Sequence, residues 1–176
     1  MVLIVGGGTG AMAINKLVED SLNELTKICQ IIHLTGSGKS ITNYEPASPA
    51  GGLRITNYMQ YEFLSADKMS EALSVADLVI SRAGLGVLSE LSYLGKPSII
   101  IPMSDSHQEE NAEFFKSKKA AIVISQKDLT AENFIHIIKD LLANKKGLDQ
   151  LANNMRKAMK RGANQEILTI INKLLK

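Results

Sequence analysis

The chain has 176 residues, 45% of them hydrophobic and 22% charged, with a formal net charge of only +2, which suits one domain with its own core and excludes two domains of ordinary size. It has no uncharged apolar run near the ~18 residues of a membrane-spanning helix, and its amino end lacks the basic-then-apolar order of a signal peptide. The single cysteine, Cys29, cannot form an internal disulfide, so we expect a small buried side chain in a cytoplasmic protein.

The amino end predicts a strand, a glycine loop and a helix. An apolar run at Val2–Val5 is followed by the loop Gly6–Ala11 and by apolar residues at helical spacing. The dinucleotide fingerprint is formally met by Gly6, Gly8 and Ala11. A nicotinamide site also needs an acid after the second strand. That strand, expected at Ile28–Leu34, is followed by Thr35, so a redox protein is disfavoured.

The next segment contains a false phosphate-binding motif. The run Gly38–Ser40 lacks the earlier glycine that an ATPase loop requires, because His33 occupies that position. We therefore expect a surface loop there. A third strand is predicted at Leu53–Tyr58, an extended piece at Tyr61–Leu64, and a helix at Asp67–Val75.

A glycine-containing turn joins the fourth predicted strand, Asp77–Ser81, to a helix that begins within Arg82–Gly86. Such a helix start offers unpaired N–H groups and the positive end of the helix dipole to an anion, and its glycines would let a phosphate approach the backbone. Glu90 lies one helical turn beyond Gly86. Its carboxylate is either a ribose acceptor or a solvated helix acid.

Polar residues follow the fifth predicted strand, Ser98–Ile101. After Pro102, a loop ends at His107 and a helix begins near Gln108. The side chains of His107, Gln108 and Asn111 should emerge at the carboxyl end of a buried strand, where open α/β sheets bind ligands. His107 as a helix-capping residue and Asn111 as an ordinary helix residue remain alternatives.

The carboxyl end predicts a strand at Ala121–Ile124 and three amphipathic helices, with His136 on a solvent-facing side. The lysine and arginine side chains of this region have few aromatic residues between them, so we expect a solvated helix face and no nucleic-acid site. The alternation of elements predicts an α/β fold, a Rossmann-like open parallel sheet of about six strands with helices on both faces.

Three motifs carry a family resemblance: SRAGLGVLSE at Ser81–Glu90, GKPSIIIP at Gly95–Pro102 and DSHQEENA at Asp105–Ala112. Together they resemble the C-terminal, donor-binding domain of glycosyltransferase family 28, half of a GT-B glycosyltransferase. The likeness is greatest to the MurG-type members, which transfer N-acetylglucosamine from UDP-N-acetylglucosamine to the undecaprenyl-linked muramyl-pentapeptide of peptidoglycan.

The resemblance implies a donor site with no metal and no cofactor. It assigns the diphosphate to Gly84–Gly86, the ribose to Glu90 and the sugar hydroxyls to Gln108 with Asn111. Backbone groups near Phe63 and Leu64 would read the uracil, although Phe63 could equally be a core residue. The full set of implied substrate-binding residues is Gly8, Thr9, Gly10, Phe63, Leu64, Arg82, Ala83, Gly84, Leu85, Gly86, Ser89, Glu90, His107, Gln108 and Asn111.

The resemblance spans residues 1–176 as a single donor-binding domain, which corresponds to the carboxyl half of a family member. It implies that the acceptor domain, with the general base, is absent, so the chain alone should be inactive. The acceptor and peripheral contact with the inner face of the plasma membrane would then involve that domain or a partner chain. A non-catalytic nucleotide-sugar-binding subunit is the alternative, and a Rossmann-like redox protein a weaker one.

Overall fold

The structure is a computed structural model that describes residues 1–6, 11–41 and 57–175. Six strands form one parallel sheet in the order β3-β2-β1-β4-β5-β6. The strands are β1 (Val2–Val5), β2 (Ile31–Leu34), β3 (Tyr58–Tyr61), β4 (Leu78–Ser81), β5 (Ser98–Ile100) and β6 (Ile122–Val123). The helices are α1 (Met12–Ile28), α2 (Ala66–Val75), α3 (Leu85–Leu94), α4 (Gln108–Ser117), α5 (Ala131–Ala143), α6 (Lys145–Ala158) and α7 (Ala163–Leu174), with a 3-10 turn at Gln126–Asp128.

Both faces of the sheet are covered by helices. Along β1, Val2 and Ile4 join one apolar cluster with α1 and α5. The alternate residues Leu3 and Val5 join a second cluster with α2, α3, α4 and α6. Continuous apolar strands are what a sheet covered on both faces requires, and the predicted Rossmann-like fold is confirmed.

Helix α3 is fixed against α6. It ends at Leu94 and is capped by Gly95, whose φ of 68° is in the left-handed region that glycine adopts readily. A Cβ there would lie 2.8 Å from Nε of Arg156 in α6. The hydroxyl of Ser92 donates a 2.8 Å hydrogen bond to the Met155 carbonyl. These contacts set the direction of the helix whose amino end forms part of the candidate site.

Two predicted strands differ from the structure in their bounds. The second strand begins at Ile31, not at Ile28, because α1 continues through Ile28 with Leu25 fully buried beneath it. The third strand is Tyr58–Tyr61. Of the piece predicted to be extended at Tyr61–Leu64, only Tyr61 belongs to this strand. Residues 53–56 of the predicted third strand lie outside the described residues.

Within the described ranges, no helix combines the length and the apolar character needed to span a membrane.

Candidate functional site

The candidate site lies where the strand order reverses, between β1 and β4. Connections from these neighbouring strands leave toward opposite faces of the sheet, which opens a crevice at their carboxyl ends. Val5 ends β1 and Ser81 ends β4, and these two residues are paired in register. The predicted phosphate contacts Gly8, Thr9 and Gly10 follow β1 and lie outside the described residues.

The amino end of α3 offers uncommitted backbone donors. Gly84 is the N-cap and has no side chain, and its carbonyl accepts the first helical hydrogen bond from Leu88 N–H at 3.1 Å. Among the described residues, the N–H groups of Leu85, Gly86 and Val87 have no hydrogen-bond partner. A Cβ built at Gly84 or Gly86 meets open space. An anion therefore has both donors and room at this turn.

Glu90 is exposed on α3 beside an open groove of about 840 Å³ between α2, α3 and the connection from α6 to α7. Ser89 also lines this groove, although its hydroxyl donates to the Leu85 carbonyl at 2.8 Å. Ala66, at the start of α2, lines the same groove. The Phe63–Leu64 connection leads into α2, so it and Glu90 lie on the same face of the sheet.

Phe63 is 77% exposed, so its interpretation as a core residue is wrong. Leu64 is partly buried against the second core cluster. An exposed aromatic ring before α2 is compatible with a contact to a flat base, and that contact remains a prediction.

Two side chains in the first turn of α4 form hydrogen bonds with the turn between β4 and α3. Gln108 Oε1 accepts hydrogen bonds from Ala83 N–H at 3.2 Å and from Met103 N–H at 3.1 Å. Asn111 Nδ2 donates to the Ala83 carbonyl at 3.0 Å. Both peptide groups of Ala83 are therefore held by amide side chains. Within the described chain, Gln108 Nε2 and Asn111 Oδ1 make no hydrogen bond, and these are the atoms through which the predicted sugar contacts would be made.

His107 is exposed at the N-cap position of α4, but its side chain makes no capping hydrogen bond. The cap is supplied by Ser106, whose hydroxyl oxygen accepts from Gln108 N–H at 3.2 Å. The capping interpretation of His107 is therefore wrong, and its predicted donor contact stays a prediction.

Arg82 points away from the α3 turn and toward the sheet edge. Nη1 donates to the carbonyls of Ile101 at 3.1 Å and Pro102 at 3.0 Å, and Nη2 donates to Gln126 Oε1 at 2.7 Å. Burial lowers the pKa of Arg82 below its usual value. Sequence reasoning missed Gln126. Its place just after the last strand was the available signal, but its pairing with Arg82 depends on strand order.

A buried polar network supports the carboxyl end of β2. His33 is fully buried, with Nδ1 2.9 Å from the Tyr58 hydroxyl and Nε2 3.1 Å from Asn15 Oδ1. Asn15 Nδ2 donates to the Thr35 carbonyl at 2.9 Å. Thr35 is itself fully buried, so the position after β2 holds a buried hydroxyl and not the acid of a nicotinamide site.

No group of three or more His, Cys, Asp or Glu side chains in the described chain lies close enough to hold a metal ion.

Comparison with known proteins gives consistent matches. The model of the glycosyltransferase family 28 C-terminal domain matches residues 1–167. A relative from Bacillus cereus, named UDP-N-acetylglucosamine--N-acetylmuramyl-(pentapeptide) pyrophosphoryl-undecaprenol N-acetylglucosamine transferase 3, is 36% identical over 100% of this chain and 48% of its own length. A relative from Desulforamulus reducens, whose name is the same but without the number 3, is 34% identical over 98% of this chain and 48% of its own length.

Among solved structures, the crystal structure of Acinetobacter baumannii MurG matches with a TM-score of 0.80 and 28% identity, covering 98% of this chain and 49% of that one. The chain thus spans about half the length of the relatives it matches.

Proposed function

The chain belongs to the glycosyltransferase family 28 C-terminal domain family, and from that premise we propose that it binds UDP-N-acetylglucosamine as the donor for N-acetylglucosaminyl transfer. The observation that carries the proposal is the meeting of two turns at the switch point of the sheet. The uncapped start of α3 lies one helical turn before Glu90 and directly after Ala83, whose backbone groups bind the Gln108 and Asn111 amides.

This arrangement suits the departure of a nucleoside diphosphate. When the anomeric carbon bonds to an acceptor hydroxyl, the bond to the diphosphate oxygen breaks and negative charge grows on the leaving group. The free N–H groups at the start of α3 and the dipole of the helix stabilise that charge. Stabilisation of this kind requires neither a metal nor a cofactor from the chain.

The acceptor we propose is the undecaprenyl-linked muramyl-pentapeptide, which is the acceptor in the names of the relatives. Transfer also needs a base and a surface that orients the acceptor hydroxyl. Two of the three histidines are poorly suited as the base, since His33 is buried and His136 lies exposed on α5, which covers the face of the sheet opposite to α3. We therefore propose that the acceptor half belongs to additional polypeptide, working at the inner face of the plasma membrane where such a lipid is reached.

In a second version, this chain is a donor-binding subunit that works with a separate acceptor-binding chain, and helix α7 offers a surface for such a contact. The large apolar side chains of α7 and the residue after it are exposed: Ile167, Leu168, Ile170, Ile171, Leu174 and Leu175. A contiguous apolar surface of this kind usually marks a protein contact. Both versions share the same donor site. They differ in whether the acceptor-binding polypeptide is covalently linked to this chain.

Titration calorimetry of the chain with UDP and UDP-N-acetylglucosamine, with and without a chelator, tests the donor proposal. We expect binding to both ligands, unchanged by chelation. Glu90→Ala should weaken both by about 1 to 3 kcal/mol, because it removes a charged acceptor of ribose hydroxyl hydrogen bonds. Glu132→Ala, an exposed first-turn acid on α5, is the matched control. Tight NADH binding without a response to UDP would refute the proposal.

A further inference from the structure

Arg82 carries a partly buried positive charge whose three hydrogen-bond acceptors are all neutral. They are two backbone carbonyls, of Ile101 and Pro102, and the side-chain oxygen of Gln126. Within the described residues, no carboxylate forms an ion pair with Arg82. A guanidinium that is taken out of water is usually paired with an acid. The neutral partners of Arg82 are therefore unusual, and their locations in the fold indicate what they do.

The three bonds of Arg82 connect successive strand ends. Arg82 follows β4, Ile101 and Pro102 follow β5, and Gln126 lies in the 3-10 turn after β6. That turn is itself fixed, because Ser125 Oγ accepts from Lys127 N–H at 3.3 Å. One guanidinium therefore ties together the carboxyl ends of three adjacent strands.

The same two turns are joined a second time through Ala83. Gln108 and Asn111 bind its N–H and its carbonyl, and Gln108 also binds Met103 N–H. The Arg82 hydrogen bonds reach the residues that directly follow β5, and the Ala83 hydrogen bonds reach the first turn of α4. Two separate sets of hydrogen bonds therefore join the turn before α3 to the turn before α4.

We propose that Gln126 is a positioning residue of the donor site, acting through Arg82 to hold the turn before α4 at a fixed distance from the turn before α3. The inference rests on the proposed function, in which the first turn contacts the diphosphate and the second contacts the sugar. In this proposal Gln126 contacts neither part of the ligand and acts only through Arg82. Its effect is to let one ligand reach both turns at once.

This role predicts a difference between two ligands. UDP engages the turn before α3 and is indifferent to the exact placement of the turn before α4. UDP-N-acetylglucosamine spans both turns and loses contact if their spacing is no longer fixed. A general loss of stability would weaken both ligands equally, so the ratio of the two affinities separates positioning from mere structural support.

The test measures both dissociation constants for the parent chain, Gln126→Ala, Gln126→Glu and a control. Gln126→Ala should weaken UDP-N-acetylglucosamine about fivefold and UDP by less than about twofold, because the charged hydrogen bond to Arg82 is lost. Gln126→Glu keeps an acceptor for Nη2 and should restore the parent's affinity ratio. Gln150→Ala, whose parent side chain bonds only Asn154 on α6 among the described residues, should match the parent.

A second measurement needs no ligand. Amide hydrogen exchange at Met103, whose N–H is bonded to Gln108, should be about tenfold faster in Gln126→Ala and unchanged in Gln150→Ala. Unchanged exchange at Met103, an equal loss for both ligands, or a ratio that Gln126→Glu does not restore would each overturn the inference. If the parent binds neither ligand, the proposed function fails, and exchange at Met103 still decides whether Gln126 holds this turn.

Discussion

Acidification should destabilise the fold through His33, and the hydrogen bonds around the ring explain why. Asn15 Nδ2 donates to the Thr35 carbonyl, so the Asn15 oxygen faces the ring and accepts from Nε2–H. Nδ1 is then unprotonated and accepts from the Tyr58 hydroxyl. Burial penalises the charged form of the ring and lowers the pKa of His33 from 6.5 to about 4.

The direction of the effect follows from proton binding. The unfolded chain takes up a proton at His33 near pH 6.5, whereas the folded chain resists it down to about pH 4. The stabilisation is therefore present above pH 6.5 and is lost as the pH falls toward 4. At about 1.4 kcal/mol for each pKa unit, the full loss is about 3 kcal/mol, of which about 2 kcal/mol falls between pH 7 and pH 5.

Urea unfolding followed by circular dichroism at a series of pH values measures this loss. His33→Gln keeps a donor toward Asn15 and cannot be charged, so it should be less stable than the parent at pH 7 but lose about 2 kcal/mol less on going to pH 5. His136→Gln, which makes the same replacement at an exposed histidine on α5, is the matched control. Parallel curves for the parent and His33→Gln would refute the assignment of a neutral, buried ring.

Three further outcomes are expected. Gly84→Ala and Gly86→Ala should fold as stably as the parent, since a Cβ meets open space at both positions, yet weaken UDP in calorimetry if the diphosphate approaches this backbone; unchanged affinity would move the phosphates elsewhere. Gln108→Ala should lower the free energy of unfolding in urea by about 1 to 2 kcal/mol, because two backbone N–H groups lose their acceptor. An unchanged free energy would show that these two hydrogen bonds do not stabilise the fold. A chain ending at Arg161 should keep its melting temperature within about 2 °C, because the described side chains of α7 are exposed; a larger fall would mean that α7 stabilises the domain.

The fold was predictable from the sequence because its signals are local and repeated. Each strand is a short apolar run, and α1, α5 and α6 have apolar residues at helical spacing. The errors fall where such signals overlap. Ile28 ends a helix and also precedes a run of isoleucines, so periodicity alone could not place the boundary between α1 and β2. The sequence pattern places Tyr58 at the end of the third strand, whereas in the structure Tyr58 begins β3.

The candidate site was predictable in its place but not in the contacts of its side chains. The motifs locate the two turns correctly at the carboxyl ends of β4 and β5, because parallel strands bring these ends to one edge. They do not reveal that Arg82 donates to Ile101, Pro102 and Gln126, since those partners lie 19, 20 and 44 residues away in the chain. An arginine in a ligand-binding motif is readily assigned to the ligand. Here its three hydrogen bonds link strand ends to one another, so its contribution to binding would come from the spacing of the turns that the ligand has to reach.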